Sequence, residues 1–158
     1  MKAKKTMRRT AMAAAAGALA LAGTVVSAGT AQADSAVSMR EPGILYQGSS
    51  LNTDDTRLIL QLDGNLVIYR NYQTPNPVAV WSAAGTWSCG YKAIMQGDGN
   101  FVVYNASNKV CWASNTFKSD PNSTASLVVS DHGGLTVQFS YPPRASTAAI
   151  TVRSTDLY

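Results

Sequence analysis

The chain has 158 residues, with 13 Lys and Arg, 9 Asp and Glu, one His and 2 Cys, for a formal net charge of +4. Five of the basic residues (Lys2, Lys4, Lys5, Arg8 and Arg9) crowd the first ten positions; beyond residue 33, 8 basic residues face 9 acidic ones, a net charge of −1. Nothing in that balance suggests a nucleic-acid surface, which would need a basic patch, and no apolar run past the N-terminal one reaches membrane-spanning length.

Residues 1–33 have the layout of a secretory signal peptide. A charged start is followed by a small-apolar run from Ala11 to Ala28, and Ala31-Gln32-Ala33 supplies a small-residue cleavage pattern. Thr10-Ala11-Met12 after Arg8-Arg9 matches a twin-arginine signal poorly, which favours general secretion. The expectation is a secreted, extracellular protein that does not insert in the membrane once its leader is cleaved. Residues 34–158 suffice for one domain with a real core.

Residues 34–43 read as a flexible lead-in and Ile44 to Leu51 as an opening strand, with a polar turn from Asn52 to Thr56. Then comes Leu60-Gln61-Leu62-Asp63-Gly64-Asn65-Leu66-Val67-Ile68-Tyr69, in which apolar side chains fall mainly on alternate positions, the period of a strand with one buried face. Asp-Gly within such alternation signals a hairpin. A three-residue loop, Asp63-Gly64-Asn65, keeps the faces separate and predicts Leu62 opposite Leu66, Gln61 opposite Val67 and Ile59 opposite Tyr69. Asn71 to Pro77 is a loop, since its two prolines do not suit a central strand, and Val78 to Trp81 resumes a strand.

A near copy of the hairpin lies 35 positions on, from Met95 to Tyr104, and leads to a strand ending Cys111-Trp112-Ala113-Ser114. Trp81 follows Tyr69 by 12 positions and Trp112 follows Tyr104 by 8, so the first repeat carries a four-residue loop insertion. A third, eroded repeat begins near Ala125. Setting Val129 against Gln96 places Asp131, Gly133, Leu135 and Val137 at the remaining motif positions, with only the aspartate kept, and puts the tryptophan place near Val152. The repeats run over about 44–86, 87–120 and 121–158. Such short repeats cannot bury their inner faces singly and are expected to stack around a shared core. Its candidates are Leu60, Leu62, Leu66, Ile68, Trp81, Met95, Phe101, Val103 and Trp112.

The pattern Gln-x-Asp-x-Asn-x-Val-x-Tyr occurs intact twice, as Gln61, Asp63, Asn65, Val67 and Tyr69 and as Gln96, Asp98, Asn100, Val102 and Tyr104. It resembles the sugar-site motif of the bulb-type, monocot mannose-binding lectins, here in a secreted, bacterial-type member. The resemblance implies an all-β fold, a type II β-prism of three pseudo-threefold repeats, each a small antiparallel sheet. It implies recognition of α-D-mannose or mannose-containing glycans without metal or cofactor. By the same resemblance, the Asp/Asn pair holds the axial 2-hydroxyl, and Gln and Tyr hold the 3- and 4-hydroxyls.

The chemistry suits that role. Ionised Asp63 and Asp98 are acceptors of strong hydrogen bonds, the Asn and Gln amides both donate and accept, and Val67 and Val102 would touch ring carbons. The plainer reading, in which Asp-Gly-Asn is turn chemistry alone, is weakened by the second intact copy. A glycosidase pair of Asp63 and Asp98 is disfavoured because the two occupy equivalent places in different repeats. A second alternative is a lectin-fold interaction or antibacterial, bacteriocin-like module aimed at a cell-surface polysaccharide or protein, and homodimerisation is compatible with either. Cys89 and Cys111, the only cysteines in a chain that reads as exported, are expected to form a disulfide. One His and no Cys-x-x-Cys leave no metal constellation.

Overall fold

Alternation along the central strands sets the architecture. In a computed structural model describing residues 35–141 and 146–153, the chain forms three four-stranded antiparallel sheets. The first contains β3 (Ser50–Asn52), β4 (Thr56–Leu60), β5 (Leu66–Arg70) and β6 (Val78–Ser82), side by side in that order. The second orders β2 (Gly43–Tyr46), β7 (Lys92–Met95), β8 (Phe101–Tyr104) and β9 (Val110–Ala113). The third orders β1 (Ala36–Arg40), β10 (Thr124–Ser130), β11 (Gly134–Tyr141) and β12 (Ser146–Arg153). The leader reading falls outside the described residues, among which no helix is long and apolar enough to cross a membrane.

Each sheet turns one row of its two middle strands inward. Leu58, Leu60, Leu66 and Ile68 meet Ala93, Met95, Phe101 and Val103 and the row Leu127, Val129, Leu135, Val137 and Phe139 in one buried cluster. Trp81 and Trp112 pack against it while half-buried, edge to face with ring centroids 5.7 Å apart. They are core aromatics, as their repeat phase predicted. Leu62 is not core: it is 81% exposed.

Leu62 is displaced because the hairpin loop is longer than predicted. Leu60 pairs with Leu66, Ile59 with Val67 and Arg57 with Tyr69, so the loop spans five residues, 61–65. The loop length remains odd, which preserves the separation of faces, but Leu62 moves from the strand into the loop. Backbone bonds close the loop across its ends: Gln61 N–H donates to Asn65 C=O at 2.9 Å and Gly64 N–H to Gln61 C=O at 2.9 Å. Gly64, at φ +85°, adopts a conformation that side chains disfavour. A Cβ there would also lie 2.8 Å from the carbonyl of Gly90.

The N-terminal segment is the other departure. The predicted lead-in contains β1, which pairs with β10 along its whole length. The predicted opening strand divides: β2 joins the second sheet, against β7, and β3 joins the first, against β4. Residues 36–52 therefore give an edge strand to each sheet in turn. Their own alternation is too short and too exposed to reveal this, since the partners lie far off in sequence.

The third repeat is registered one position away from the sequence alignment. Val129 pairs with Leu135 as Met95 pairs with Phe101, so Ser130, His132, Gly134, Thr136 and Gln138 occupy the five motif places. No motif residue survives. The tryptophan place falls at Ile150, which pairs with Val137 as Trp112 pairs with Val103, and not at Val152.

Asp131, freed from any motif role, ties the molecule together. Its carboxylate accepts from the Ser35 hydroxyl at 2.7 Å and Ser35 N–H at 3.1 Å, from Asp55 N–H at 3.1 Å, and from the Thr53 hydroxyl. Burial alone would raise its pKa. The Thr53 and Ser35 hydroxyls and the backbone N–H groups of Asp55 and Ser35 outweigh this and lower it from 3.8 to about 2. Since the folded value lies below the unfolded one, the contribution is complete above the unfolded pKa and is lost as pH falls from about 4 towards 2. We expect urea denaturation to show about 1 kcal/mol of stability vanishing across that window, less than the full shift implies because water screens a partly exposed carboxylate. The Asp131→Asn variant should be less stable at pH 7 and lose less on acidification, with Asp55, whose pKa is also lowered, supplying part of the remaining slope.

Candidate functional site

The two intact motifs build the same constellation on different sheets. In each, the strand after the loop holds Tyr on the outer face while the five-residue loop presents Gln, Asp and Asn. Gln61 Nε2 donates to the Tyr69 hydroxyl at 3.0 Å, and Gln96 Nε2 to the Tyr104 hydroxyl at 2.8 Å. Asp63 Oδ1 accepts from Asn65 N–H, and Asp98 Oδ1 from Asn100 N–H, both at 2.9 Å. This side-chain turn is a local device for which Asp is well suited, so turn chemistry and presentation coexist in one residue.

A second layer holds the loops. Thr86 Oγ1 accepts from Leu66 N–H at 3.0 Å and donates to Asn65 Oδ1 at 3.0 Å, sharing its one proton with Ala83 C=O at 2.8 Å. In the second repeat Ser114 Oγ does both, at 3.1 Å to Asn100 Oδ1 and 3.0 Å from Phe101 N–H. The aspartate carbonyls are braced as well: Ser88 N–H donates to Asp63 C=O at 2.8 Å and Lys118 N–H to Asp98 C=O at 2.9 Å. Reading the sequence missed Thr86 and Ser114. They sit at different offsets from the tryptophans, Trp81 to Thr86 and Trp112 to Ser114, so repeat alignment does not pair them. It also missed Trp87, a 71% exposed aromatic between Thr86 and Ser88.

What remains uncommitted decides what the sites can do. Among the described residues, Asp63 Oδ2, Asn65 Nδ2 and Gln61 Oε1 have no hydrogen-bond partner, and the Tyr69 hydroxyl, having accepted, keeps its own proton to give. Each hairpin thus keeps two acceptors and two donors open. Such a set matches neighbouring hydroxyls, each of which donates and accepts. The valines contribute less than expected: Val67 and Val102 are each 3% exposed, so they form a covered floor with little area for ring carbons. The sites also differ, since Asn100 is 7% exposed while Asn65 is more open.

Cys89 and Cys111 are disulfide-bonded, with Cα atoms 6.0 Å apart. The bond links β9 of the second sheet to the 83–91 connection that carries Thr86 and Ser88, and closing its loop contributes roughly 3 kcal/mol in the chain-entropy view. No group of His, Cys, Asp and Glu among the described residues could hold a metal ion.

Three small sheets around one core, two of them carrying this hydroxyl-matching constellation, define a β-prism of the lectin type. No family model matches the chain. It is 30% identical over 95 residues to a mannose-specific lectin of Aloe arborescens, covering 60% of this chain and 82% of that one. The B-type lectin plumieribetin of Scorpaena plumieri is 35% identical over 80 residues, 49% of this chain and 66% of its own. Among solved structures, the Polygonatum cyrtonema lectin complexed with monomannoside aligns at a TM-score of 0.54 and 29% identity, over 69% of this chain and 92% of that one. The chain belongs to the bulb-type mannose-binding lectin family.

Thr86 offers a test of the second layer. Thr86→Val removes the hydroxyl but keeps the shape, leaving Leu66 N–H buried without a partner. We expect a loss of about 1–3 kcal/mol in urea denaturation, largely restored by Thr86→Ser. Equal stability of the valine variant would mean the hydroxyl holds nothing.

Proposed function

We propose that the protein is a secreted, metal-independent lectin that binds terminal α-mannose on glycans or cell-surface polysaccharide at two sites, and that it catalyses no reaction. Gln61, Asp63, Asn65 and Tyr69 form one site and Gln96, Asp98, Asn100 and Tyr104 the other, with Val67 and Val102 beneath. The observation that carries this reading is the repetition of one uncommitted donor–acceptor set. A turn needs Asp Oδ1 alone; it gives no reason to keep Asn, Gln and Tyr aligned beside it twice.

Recognition would proceed by exchange of water for protein hydrogen bonds. Asp Oδ2 and Asn Nδ2 accept from and donate to the axial 2-hydroxyl, the group that separates mannose from glucose. Tyr and Gln take the 3- and 4-hydroxyls. Each exchanged bond nets little, so affinity per site is on the order of millimolar, about −4 kcal/mol. Useful strength then comes from holding two sugars at once, which raises avidity without new contacts. The mannose-specific name of the Aloe arborescens relative and the monomannoside bound to a solved neighbour support the same sugar.

Asp→Asn is the cleaner probe, because the partly hidden Asn100 makes an alanine there a packing change as well. Asp63→Asn and Asp98→Asn keep Oδ1 for the turn and replace the outward acceptor with a donor. Calorimetry with methyl α-mannoside in chelator should show roughly half the binding capacity for either single variant and none for the double variant. Retention on a mannan surface should fall far more than twofold for each single change. A double variant that stays folded and still binds mannan like the parent would defeat the proposal.

A further inference from the structure

The first site is not a plain copy of the second. Its β5–β6 connection is longer, and that connection builds a cleft of about 170 Å³ lined by Arg57, Ile59, Gln61, Tyr69, Tyr72 and Pro77. Gln61 and Tyr69 belong to both the sugar site and the cleft, so the cleft opens from the side of the site that would hold the 3- and 4-hydroxyls. Arg57 stands directly across the strand pair from Tyr69.

Arg57 is set in place from two directions. Its Nε donates to Asn52 Oδ1 at 3.0 Å, and its guanidinium lies over the Tyr72 ring, 4.3 Å from the centroid. Tyr72 is itself fixed, donating its hydroxyl to Thr53 C=O at 3.1 Å and accepting from Gln73 Nε2 at 3.1 Å. The loop start is clamped by Asp55, which takes Arg70 Nε and Asn71 N–H, each at 3.0 Å. The ion pairs among the described residues are Arg70–Asp55 and Lys118–Glu41, so no carboxylate neutralises Arg57. Its terminal nitrogens form no hydrogen bond among the described residues. A stacked guanidinium with a planar fork left open fits an oxyanion that binds two-pronged, and Ile59, Pro77 and the Tyr72 ring give apolar surface for a sugar ring.

We propose that this cleft is an anion-selective subsite of the first mannose site, taking an acidic substituent, a uronate carboxylate or a phosphate, carried at or next to the 3-position of the bound mannose. In the second sheet Lys92 holds the register place of Arg57, opposite Tyr104, but the connection beyond β8, residues 105–109, is two residues shorter than residues 71–77 beyond β5. The two sites would therefore read different glycans, one acidic and extended, the other a simple mannose end. This inference rests on the mannose-binding reading above.

Calorimetry on the Asp98→Asn variant isolates the first site. The probes are methyl α-mannoside, its 3-O-glucuronosyl and 3-O-glucosyl derivatives, and its 3-phosphate. At least one acidic probe should bind about tenfold tighter than the glucosyl one, a difference of ~1.4 kcal/mol. That advantage should shrink as salt rises and disappear in Arg57→Gln, which should leave methyl α-mannoside binding unchanged. A gain for glucuronosyl alone assigns the subsite to uronates, and a gain for the phosphate alone assigns it to phosphates; either supports the proposal. Equal binding of acidic and neutral probes, or an acidic preference that survives Arg57→Gln, overturns the subsite while leaving the mannose site standing. Absence of methyl α-mannoside binding would instead overturn the mannose reading and the subsite with it.

Discussion

A four-stranded sheet with strands of three to eight residues has an apolar face and nothing of its own to cover it. Everything else in this molecule follows from solving that problem three times at once. The inward rows of the three sheets cover one another, so Leu60 and Leu66, Met95 and Phe101, and Val129 and Leu135 occupy equivalent places in one cluster. None of the sheets would hold its shape alone. The N-terminal segment makes the dependence explicit, because residues 36–52 supply an edge to each sheet. Losing that segment would strip every sheet of a strand.

The outer faces are free of packing duty, and there the repeats diverge. Two keep Gln, Asp, Asn and Tyr, held by hydroxyls from Thr86 and Ser114 and by carbonyl braces on each aspartate. The third has Ser130, His132, Gly134, Thr136 and Gln138 at the same places, and its loop serves the fold through Asp131. That carboxylate joins Ser35, just before β1, to the 53–55 turn of the first sheet. The same turn anchors Tyr72 and the clamp of Asp55 on Arg70, so the degenerate repeat supports the face of an intact one. Structural and functional roles are thus divided among three copies of one hairpin.

Much of this was legible in the sequence, for physical reasons that also mark where legibility ends. Alternation with period two identifies inward rows regardless of loop length, which is why Leu60, Leu66, Ile68, Met95, Phe101 and Val103 are core as predicted. It constrains only the parity of a loop, so the five-residue loop and the exposure of Leu62 escaped it. The motif spacing predicted two hairpins carrying the same polar side chains, and both hairpins form with the same local hydrogen bonds. Strands β1, β2 and β3 were not legible as edges of three sheets, because edge strands carry weak patterns and their partners β10, β7 and β4 lie elsewhere in the chain. The eroded repeat was set one residue out of register because, with every motif residue gone, only the pairing of Val129 with Leu135 could align it. Thr86 and Ser114 share a role but not an offset, and no repeat comparison would have matched them.

We propose that two of the three homologous faces bind mannose through the outward ends of their Asp and Asn side chains. Side-chain amide resonances report on this directly. Titration of isotope-labelled protein with methyl α-mannoside should shift the Nδ2 signals of Asn65 and Asn100 together with Gln61 and Gln96, saturating in the millimolar range. Backbone signals of residues 130–136 in the third loop should stay in place. Shifts confined to the third loop, or none at Asn65 and Asn100 at saturating sugar, would contradict the account.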